Sequence, residues 1–111
     1  MKEKTDQLID EIVDTIVQEV APEQIILFGS RAKGTGTKES DIDLLVIESE
    51  PFSIERSRRY EITKILKALS KYVVPKDILL FSRNEVEHWR TSVNHVIARA
   101  LRDGKIVYER Q

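Results

Sequence analysis

The apolar positions of this chain follow two spacings, one typical of helices and one typical of strands. Near the N-terminus they recur every three to four residues with acids between them, which predicts an amphipathic helix ending near Pro22. Three short runs rich in isoleucine and leucine follow, and each predicts a buried strand. The helical positions are Leu8, Ile9, Ile12, Val13, Ile16 and Val17, and the predicted strands span residues 24–28, 41–47 and 77–81.

The second half of the chain predicts three more helices and one edge strand. Ser53 can cap a helix that continues to about Lys71, and Ser82 with Glu85 has the spacing of a capping box that opens a short helix. The remaining elements are predicted from Val93, Val96, Ile97, Ala100 and Leu101 before Gly104, and from the run 106–108. The order α-β-turn-β-α-β-α-α contains no repeat and no linker. It therefore predicts a single α/β domain over residues 1–111.

Composition narrows the functional classes. The 111 residues are 41% hydrophobic and 33% charged, which is ordinary for a folded domain with one core and too apolar for a disordered chain. There is no cysteine, so disulfides, thiolate metal sites and thiol catalysis are excluded.

Charge and hydropathy indicate where the protein acts. With 18 basic and 19 acidic side chains the formal net charge is −1, so no global positive field attracts nucleic acid or an anionic membrane. The N-terminus lacks the apolar core of a signal peptide, and no apolar run approaches membrane-spanning length. We therefore expect a cytoplasmic protein that forms no stable complex with nucleic acid.

Two acids open the second predicted strand. Asp41 and Asp43 are separated by one residue, so they share a face of the strand and lie about 6.5–7 Å apart along it. Two carboxylates held this close repel each other unless a cation lies between them. Hard oxygen donors without His or Cys favour Mg²⁺ or Mn²⁺ over zinc. The alternative is that Asp41 caps a turn and Asp43 is a solvated charge at the strand end.

A second motif stands between the first strand and a short helical turn. Gly29 and Ser30 are followed by Arg31-Ala32-Lys33, and a strand-to-helix turn of this kind presents free N–H groups to phosphate oxygens. Arg31, Lys33 and Lys38 add positive charge. We expect Gly29, Ser30, Arg31 and Lys33 to bind the phosphates of a nucleotide. The alternative for an isolated Gly-Ser pair is an ordinary turn.

The two motifs together resemble the pattern G-S-x₁₀-D-x-D of the minimal nucleotidyltransferases, the small members of the DNA polymerase beta superfamily. The segment GSRAKGTGTKESDIDLLV is similar to that family's GSRARG…SDIDLLV, and the closing VIARALRDGKIVYE is similar to its last helix and strand. Asp77, at the start of the third predicted strand, matches the family's third carboxylate. The sequence departs from the pattern at Lys33, where arginine is usual; the charge is kept and a bidentate donor is lost.

The resemblance implies a polymerase-beta-like fold, with a short mixed sheet flanked by helices. It implies that Asp41, Asp43 and Asp77 are catalytic residues that hold two Mg²⁺ ions. It also implies that a hydroxyl attacks the α-phosphorus of ATP, while the Gly29-Ser30 turn holds the β- and γ-phosphates that leave as pyrophosphate.

Short chains with this pattern resemble the antitoxins of HEPN/MNT toxin–antitoxin pairs. The resemblance implies transfer of AMP to a tyrosine of a HEPN ribonuclease toxin and a hetero-oligomer with that toxin. Two alternatives remain open. One is an antitoxin that neutralises its partner by binding alone, and the other is a nucleotidyltransferase for a small molecule or an RNA end.

Several other conspicuous residues predict no chemistry. The HEPN motif R-x₄₋₆-H occurs as Arg83…His88 and Arg90…His95, but neither histidine is followed by tyrosine two residues later, and we interpret both matches as chance. Trp89 is predicted to be either a core residue or a partner-facing anchor. A basic cluster is predicted to be a solvated face: Arg56, Arg58 and Arg59.

Overall fold

A computed structural model describes residues 6–37 and 39–111, in which five helices and four strands form a mixed α/β fold. Lys38, expected near the phosphate turn, lies outside the described residues. The helices are α1 (Gln7–Val20), α2 (Ser30–Lys33), α3 (Arg58–Ala68), α4 (Arg83–Trp89) and α5 (Val96–Asp103). The strands are β1 (Gln24–Phe28), β2 (Ile42–Glu48), β3 (Lys76–Ser82) and β4 (Lys105–Glu109). The predicted fold class is confirmed.

The four strands form one mixed sheet in the order β3-β2-β1-β4. Strand β1 is antiparallel to both β2 and β4, whereas β2 and β3 run parallel. Parallel neighbours need a crossover connection, and residues 49–75 with α3 supply it. The register pairs Phe28 with Asp43 and Asp43 with Asp77, so the acids predicted from sequence meet at one edge of the sheet.

Side chains alternate along each strand, and the two sides of the sheet carry separate apolar clusters. Helices α1 and α3 cover one side, here called the α1/α3 face, where the strand contacts are Ile25, Leu27, Leu44, Val46 and Leu80. Helices α4 and α5 cover the other, the α4/α5 face, where they are Ile26, Leu45 and Ile47. The central strands β1 and β2 therefore have buried apolar side chains on both faces.

Local hydrogen bonds fix where several helices begin. The Asp6 carboxylate accepts from the Ile9 N–H (2.9 Å) at the start of α1. At the start of α4, the Ser82 N–H donates to the Glu85 carboxylate (2.9 Å), which confirms the predicted capping box. In the described part of the chain, no helix is long and apolar enough to cross a membrane.

The predicted start of the third helix is wrong. Ser53 and Arg56 close a turn instead, because the Ser53 N–H donates to the Arg56 carbonyl (2.9 Å) and the Arg56 N–H donates to the Ser53 hydroxyl (3.1 Å). Ser57 caps α3 by accepting from the Tyr60 N–H (3.2 Å). Ile54, an apolar residue within the predicted helix, is 97% exposed. A second serine four residues further along thus outcompetes the first as the cap.

The last helix also begins later than predicted. His95 caps α5, and its Nδ1 accepts from the Ile97 N–H (3.1 Å), so Val93 lies before the helix and is 74% exposed. The Trp89 ring stacks on the His95 ring with centroids 4.4 Å apart, and the tryptophan is 38% exposed. His95 is therefore a capping residue, and Trp89 packs at the surface rather than in the core.

The basic cluster is only partly a solvated face. Arg56 forms an ion pair with the buried Glu48, and Arg58 pairs with Glu85 and donates to the Leu80 carbonyl (3.2 Å). Both guanidinium groups lie over the Phe52 ring, 4.8 and 4.9 Å from its centroid. The prediction was wrong for these two arginines because their carboxylate partners are distant in sequence. Arg59 is exposed, as predicted.

Candidate active site

Asp43 and Asp77 lie opposite each other on the parallel strands β2 and β3. Neighbouring strands are separated by about 4.8 Å, so the two residues are adjacent across the sheet. Each acid lies two residues before a leucine, Leu45 or Leu79, and residues two apart on a strand point to the same face. Because both leucines contact the α4/α5 cluster, both acids lie on the α4/α5 face. Asp41 immediately precedes β2. The fold thus gathers all three predicted catalytic acids.

The three carboxylates affect one another electrostatically. Burial raises the pKa of Asp43, and the negative charges of Asp77 and Asp41 raise it further. Among the described residues, none forms a hydrogen bond or an ion pair with any of these three carboxylates. Glu48 and Glu85 each form an ion pair with an arginine, whereas no described residue supplies a counter-charge to this cluster. It is a site that a cation would stabilise.

The donor set is compatible with Mg²⁺ but incomplete by itself. Within residues 6–37 and 39–111, no three His, Cys, Asp or Glu side chains form a ready-made metal site. Mutual repulsion keeps unneutralised carboxylates apart, and Mg²⁺ usually takes one or two carboxylates together with water and substrate phosphates. The three aspartates therefore fit an ion that a bound nucleotide would help to hold.

Gly29 brings the turn after β1 directly against this acid cluster. Its φ is +77°, a conformation that glycine adopts without strain. A Cβ placed on it would lie 2.2 Å from Asp43 Oδ2, which leaves no room for any side chain. The Gly29 carbonyl accepts from the N–H groups of Ala32 (3.2 Å) and Lys33 (3.3 Å). The Gly29 turn and the Asp43 carboxylate are therefore in direct contact, and a site for a metal-bound phosphate requires such proximity.

The segment after the turn folds back onto Ser30. The Ser30 carbonyl accepts from the N–H groups of Thr35 and Gly36, both at 3.1 Å. Gly34, with a φ of +76°, is the C-cap of α2. A Cβ on Gly36 would lie 3.1 Å from the Ser30 hydroxyl oxygen. Glycine at this position therefore lets the loop pack closely beside the hydroxyl.

The two basic residues of the motif occupy different environments. Arg31 is largely buried; its Nε donates to the Ser40 carbonyl (3.0 Å) and its Nη1 lies 3.5 Å from Asp6 Oδ2. It thus ties the start of α1 to the loop that leads into Asp41. Lys33 is exposed, and among the described residues it has no ion-pair partner. It lines a cavity beside Gly29, together with Arg99 from α5.

Sequence reasoning missed Arg99. The residue stands on the last helix, in a stretch that is similar to the family's closing helix and strand but carries no phosphate motif. Only the pairing of β4 with β1 brings this part of the chain to Gly29. No local sequence signal could have identified it.

A family model described as a nucleotidyltransferase domain matches residues 9–106, which include both motifs and all four strands except the end of β4. This chain belongs to the nucleotidyltransferase domain family. A Methanocaldococcus jannaschii protein named "putative protein adenylyltransferase MJ1305" is 30% identical over 93% of this chain and 71% of its own length. The resemblance drawn from the G-S-x₁₀-D-x-D pattern is confirmed.

Solved structures support the same fold for this nucleotidyltransferase. One, described as a toxin–antitoxin with AMP-PNP, aligns with a TM-score of 0.53 at 21% identity and covers 92% of this chain and 74% of that one. Another, described as a "putative nucleotidyltransferase from Sulfolobus solfataricus", aligns with a TM-score of 0.52 at 22% identity over 96% and 91% of the two chains. These alignments bear out the predicted polymerase-beta-like fold.

The strand order arranges the candidate site residues in a line. Asp77 stands on β3, Asp43 on β2 and Gly29 at the end of β1, and these three strands are consecutive neighbours in the sheet. The spacing from one strand to the next is about 4.8 Å, first from Asp77 to Asp43 and then from Asp43 to the Gly29 turn. The line has two distinct ends, one at Asp77 and one at the turn.

Proposed function

We propose that this protein transfers AMP from ATP to a hydroxyl group of a cognate toxin and thereby acts as an antitoxin. The observation that carries the proposal is the contact between the Gly29 turn and Asp43, with Asp77 on the far side of the same acid. This arrangement suits a substrate whose phosphates lie at the turn and whose reacting phosphorus lies at the carboxylates.

The proposed reaction is an in-line substitution at phosphorus. The acceptor oxygen attacks the α-phosphorus, the bond from that phosphorus to the oxygen bridging to the β-phosphate breaks, and pyrophosphate leaves with the bond electrons. Asp77 lies at the end of the line away from the turn, so we assign it to the acceptor hydroxyl, whose proton it takes directly or through water. The Gly29-Ser30 turn and Lys33 hold the leaving pyrophosphate.

Asp41 and Asp43 are assigned to the divalent ions. Mg²⁺, when bound, neutralises phosphate charge and makes the attacking hydroxyl more acidic. The two carboxylates have hard oxygen donors, and no residue in the described part of the chain neutralises them, so Mg²⁺ or Mn²⁺ fits them better than a softer metal. Asp77 completes the set.

The acceptor is proposed to be a HEPN ribonuclease, modified on tyrosine. Two observations support a protein acceptor. The M. jannaschii relative is named as a protein adenylyltransferase, and a structural neighbour is described as a toxin–antitoxin assembly containing AMP-PNP, an ATP analogue. The same proposal includes action in the cytoplasm and a hetero-oligomer with the toxin.

Intact mass spectrometry tests the transfer. The protein is mixed with its candidate HEPN partner, ATP and Mg²⁺, and the partner is weighed. We expect added mass equal to one or more AMP groups. Asp41→Asn, Asp43→Asn and Asp77→Asn should each slow the transfer by about 10³-fold or more, because each removes charge from an electrostatic site, a barrier increase of about 4 kcal/mol. Asp14→Asn, an exposed acid on α1, is the matched control and should transfer at the parent rate.

One outcome would favour the binding alternative. If the parent adds no mass yet blocks the ribonuclease, and the three asparagine variants block it equally well, the protein neutralises its partner by contact alone. Added mass with the parent but not with Asp43→Asn excludes that alternative.

A further inference from the structure

A cavity of about 160 Å³ lies beside Gly29, between the end of β1, helix α2 and helix α5. Phe28 and two residues of α5 one turn apart, Val96 and Ala100, give it apolar walls. It lies on the α4/α5 face, because Phe28 belongs to that cluster and Asp43 lies on the same face. The cavity is therefore next to the acid cluster, one strand further along the sheet.

Two cationic side chains line this cavity. Lys33 comes from α2 and Arg99 from α5, and both are exposed. Among the described residues, no carboxylate pairs with either side chain, although Arg102, one turn further along α5, has its guanidinium 3.6 Å from Asp103. The cavity lining therefore carries two positive charges and, from Asp103, one negative charge, and this net positive charge favours an anionic ligand.

The strand order indicates which anion it is. The line runs across the strands from Asp77 through Asp43 to Gly29, and Gly29 also lines the cavity, so the cavity lies at the turn end of this line. A triphosphate whose α-phosphorus lies at the acids and whose next phosphate lies at the turn would place its terminal phosphate in the cavity. We propose that Arg99, with Lys33, binds the β- and γ-phosphates and so stabilises the leaving pyrophosphate; this inference rests on the proposed function.

Asp103 also lines the cavity, and its substitution tests whether the ligand group bound there is negatively charged. Its negative charge opposes a phosphate, so Asp103→Asn should leave triphosphate binding unchanged or strengthen it. If the cavity instead held the nucleobase, Asp103 could accept a hydrogen bond from an exocyclic amine, and the same substitution would weaken binding of ATP and AMP alike.

Calorimetry with Mg²⁺ tests the proposal on three ligands: ATP, AMP and pyrophosphate. Arg99→Gln should weaken ATP and pyrophosphate about tenfold or more, because a charge-assisted contact to phosphate is lost. AMP lacks the β- and γ-phosphates, so its affinity should stay close to that of the parent. Arg102→Gln is the matched control on the same helix; it does not line the cavity and should bind all three ligands as the parent does.

Several outcomes would overturn the assignment. They are unchanged ATP affinity in Arg99→Gln, an equal loss for AMP and ATP, or the same loss in Arg102→Gln. If the parent transfers AMP and Arg99→Gln binds ATP equally well, the inference fails and the proposed function stands. If the parent binds no ATP, the proposed function fails and this inference fails with it.

Discussion

Gly29 and Asp43 restrict each other at the scale of single residues. The glycine has the positive φ that the turn requires, and the carboxylate occupies the space where a side chain would be. Gly34 has almost the same φ, +76°, but nothing lies within 4 Å of a Cβ placed there. The ψ of Gly34 is 10°, in the ordinary left-handed region, whereas the ψ of Gly29 is −160°, so Gly34 is a control for a positive φ without a neighbouring carboxylate.

Replacing each glycine by alanine tests this distinction. Gly34→Ala should destabilise the protein by about 1 kcal/mol through backbone strain, and Gly29→Ala by more, because essentially only glycine adopts the combination of φ +77° and ψ −160°. Only Gly29→Ala should also abolish AMP transfer, since its methyl group displaces the Asp43 carboxylate. Thermal unfolding and a transfer assay give the two measurements. Equal transfer by both variants would show that the turn does not act with the acids.

Asp43 should make stability depend on pH and on metal. Its pKa is raised in the folded protein, so the folded state binds the proton more tightly than the unfolded chain does. This contribution stabilises the metal-free protein at low pH and is lost as the pH rises through the folded pKa. At neutral pH, Asp43→Asn should raise the melting temperature of the metal-free protein.

Metal provides the complementary measurement for Asp43. Mg²⁺ should raise the melting temperature of the parent at neutral pH and have a much smaller effect on Asp43→Asn, because the variant lacks one of the repelling charges that the ion neutralises. An equal Mg²⁺ effect in both proteins would indicate that the ion binds elsewhere.

Glu48, at the far end of β2, should have a pH effect unrelated to catalysis. Burial and the neighbouring Glu61 raise its pKa to about 7, and the ion pair with Arg56 only partly offsets them. The contribution of Glu48 to the free energy of unfolding is fully present below pH 4.5, its ordinary pKa, and is lost as the pH rises through about 7. The loss is at most about 3 kcal/mol.

Glu48→Gln cannot titrate, so its unfolding free energy should change less with pH than that of the parent across this range. Urea unfolding at a series of pH values measures both slopes. AMP transfer should be unaffected at any pH where both proteins are folded, because Glu48 lies at the opposite end of β2 from the acids. Parallel stability curves for the two proteins would refute the assignment.

The connection between α2 and β2 is the element that aligns the two halves of the site. Arg31 bonds to the Ser40 carbonyl, and the N–H groups of Thr35 and Gly36 bond to Ser30. These bonds fold the loop back before the chain reaches Asp41. The expectation that Arg31 binds phosphate directly stays a prediction, and its observed contacts favour a positioning role.

Arg31→Met should distinguish these roles. If the arginine positions the loop, hydrogen exchange of residues 35–40 should accelerate and AMP transfer should fall, with a smaller change in ATP affinity; the loss of one buried charge-assisted bond is worth about 1.5–3 kcal/mol. A tenfold or greater loss of ATP affinity with unchanged exchange of the loop would instead identify a phosphate ligand.

Element type was predictable from the sequence, whereas some element boundaries were not. The strands β1, β2 and β3 have strong local patterns, and their predicted bounds differ from the structure by at most one residue. Ser53 and Ser57 could both cap a helix by their side-chain chemistry, and Ser57 is the one that does. The neighbouring Arg56 and Arg58 form tertiary ion pairs with β2 and α4. Partners so distant in sequence leave no trace in a local pattern.

For the whole molecule, the sequence indicated candidate site residues more readily than it indicated their arrangement. The spacing from Gly29 to Asp43 is local and specific, so both motifs were visible. Asp77 was placed only by resemblance, because nothing local shows that β3 runs parallel to β2. Arg99 was missed for the same reason, since its position depends on how the last helix and strand return to β1.

The same strand order bears on how the site assembles during folding. Gly29, Ser30 and Asp41 lie between the antiparallel strands β1 and β2, and Asp43 lies on β2, so these residues come together over a short chain separation. Asp77 joins only when β3 pairs across the crossover formed by residues 49–75, and such non-local parallel pairing has the larger loop-closure entropy and the slower rate. The phosphate turn and the acid pair can therefore form in a native-like hairpin before Asp77 arrives. If Asp77 acts as proposed, catalytic competence is reached only with the slow pairing step.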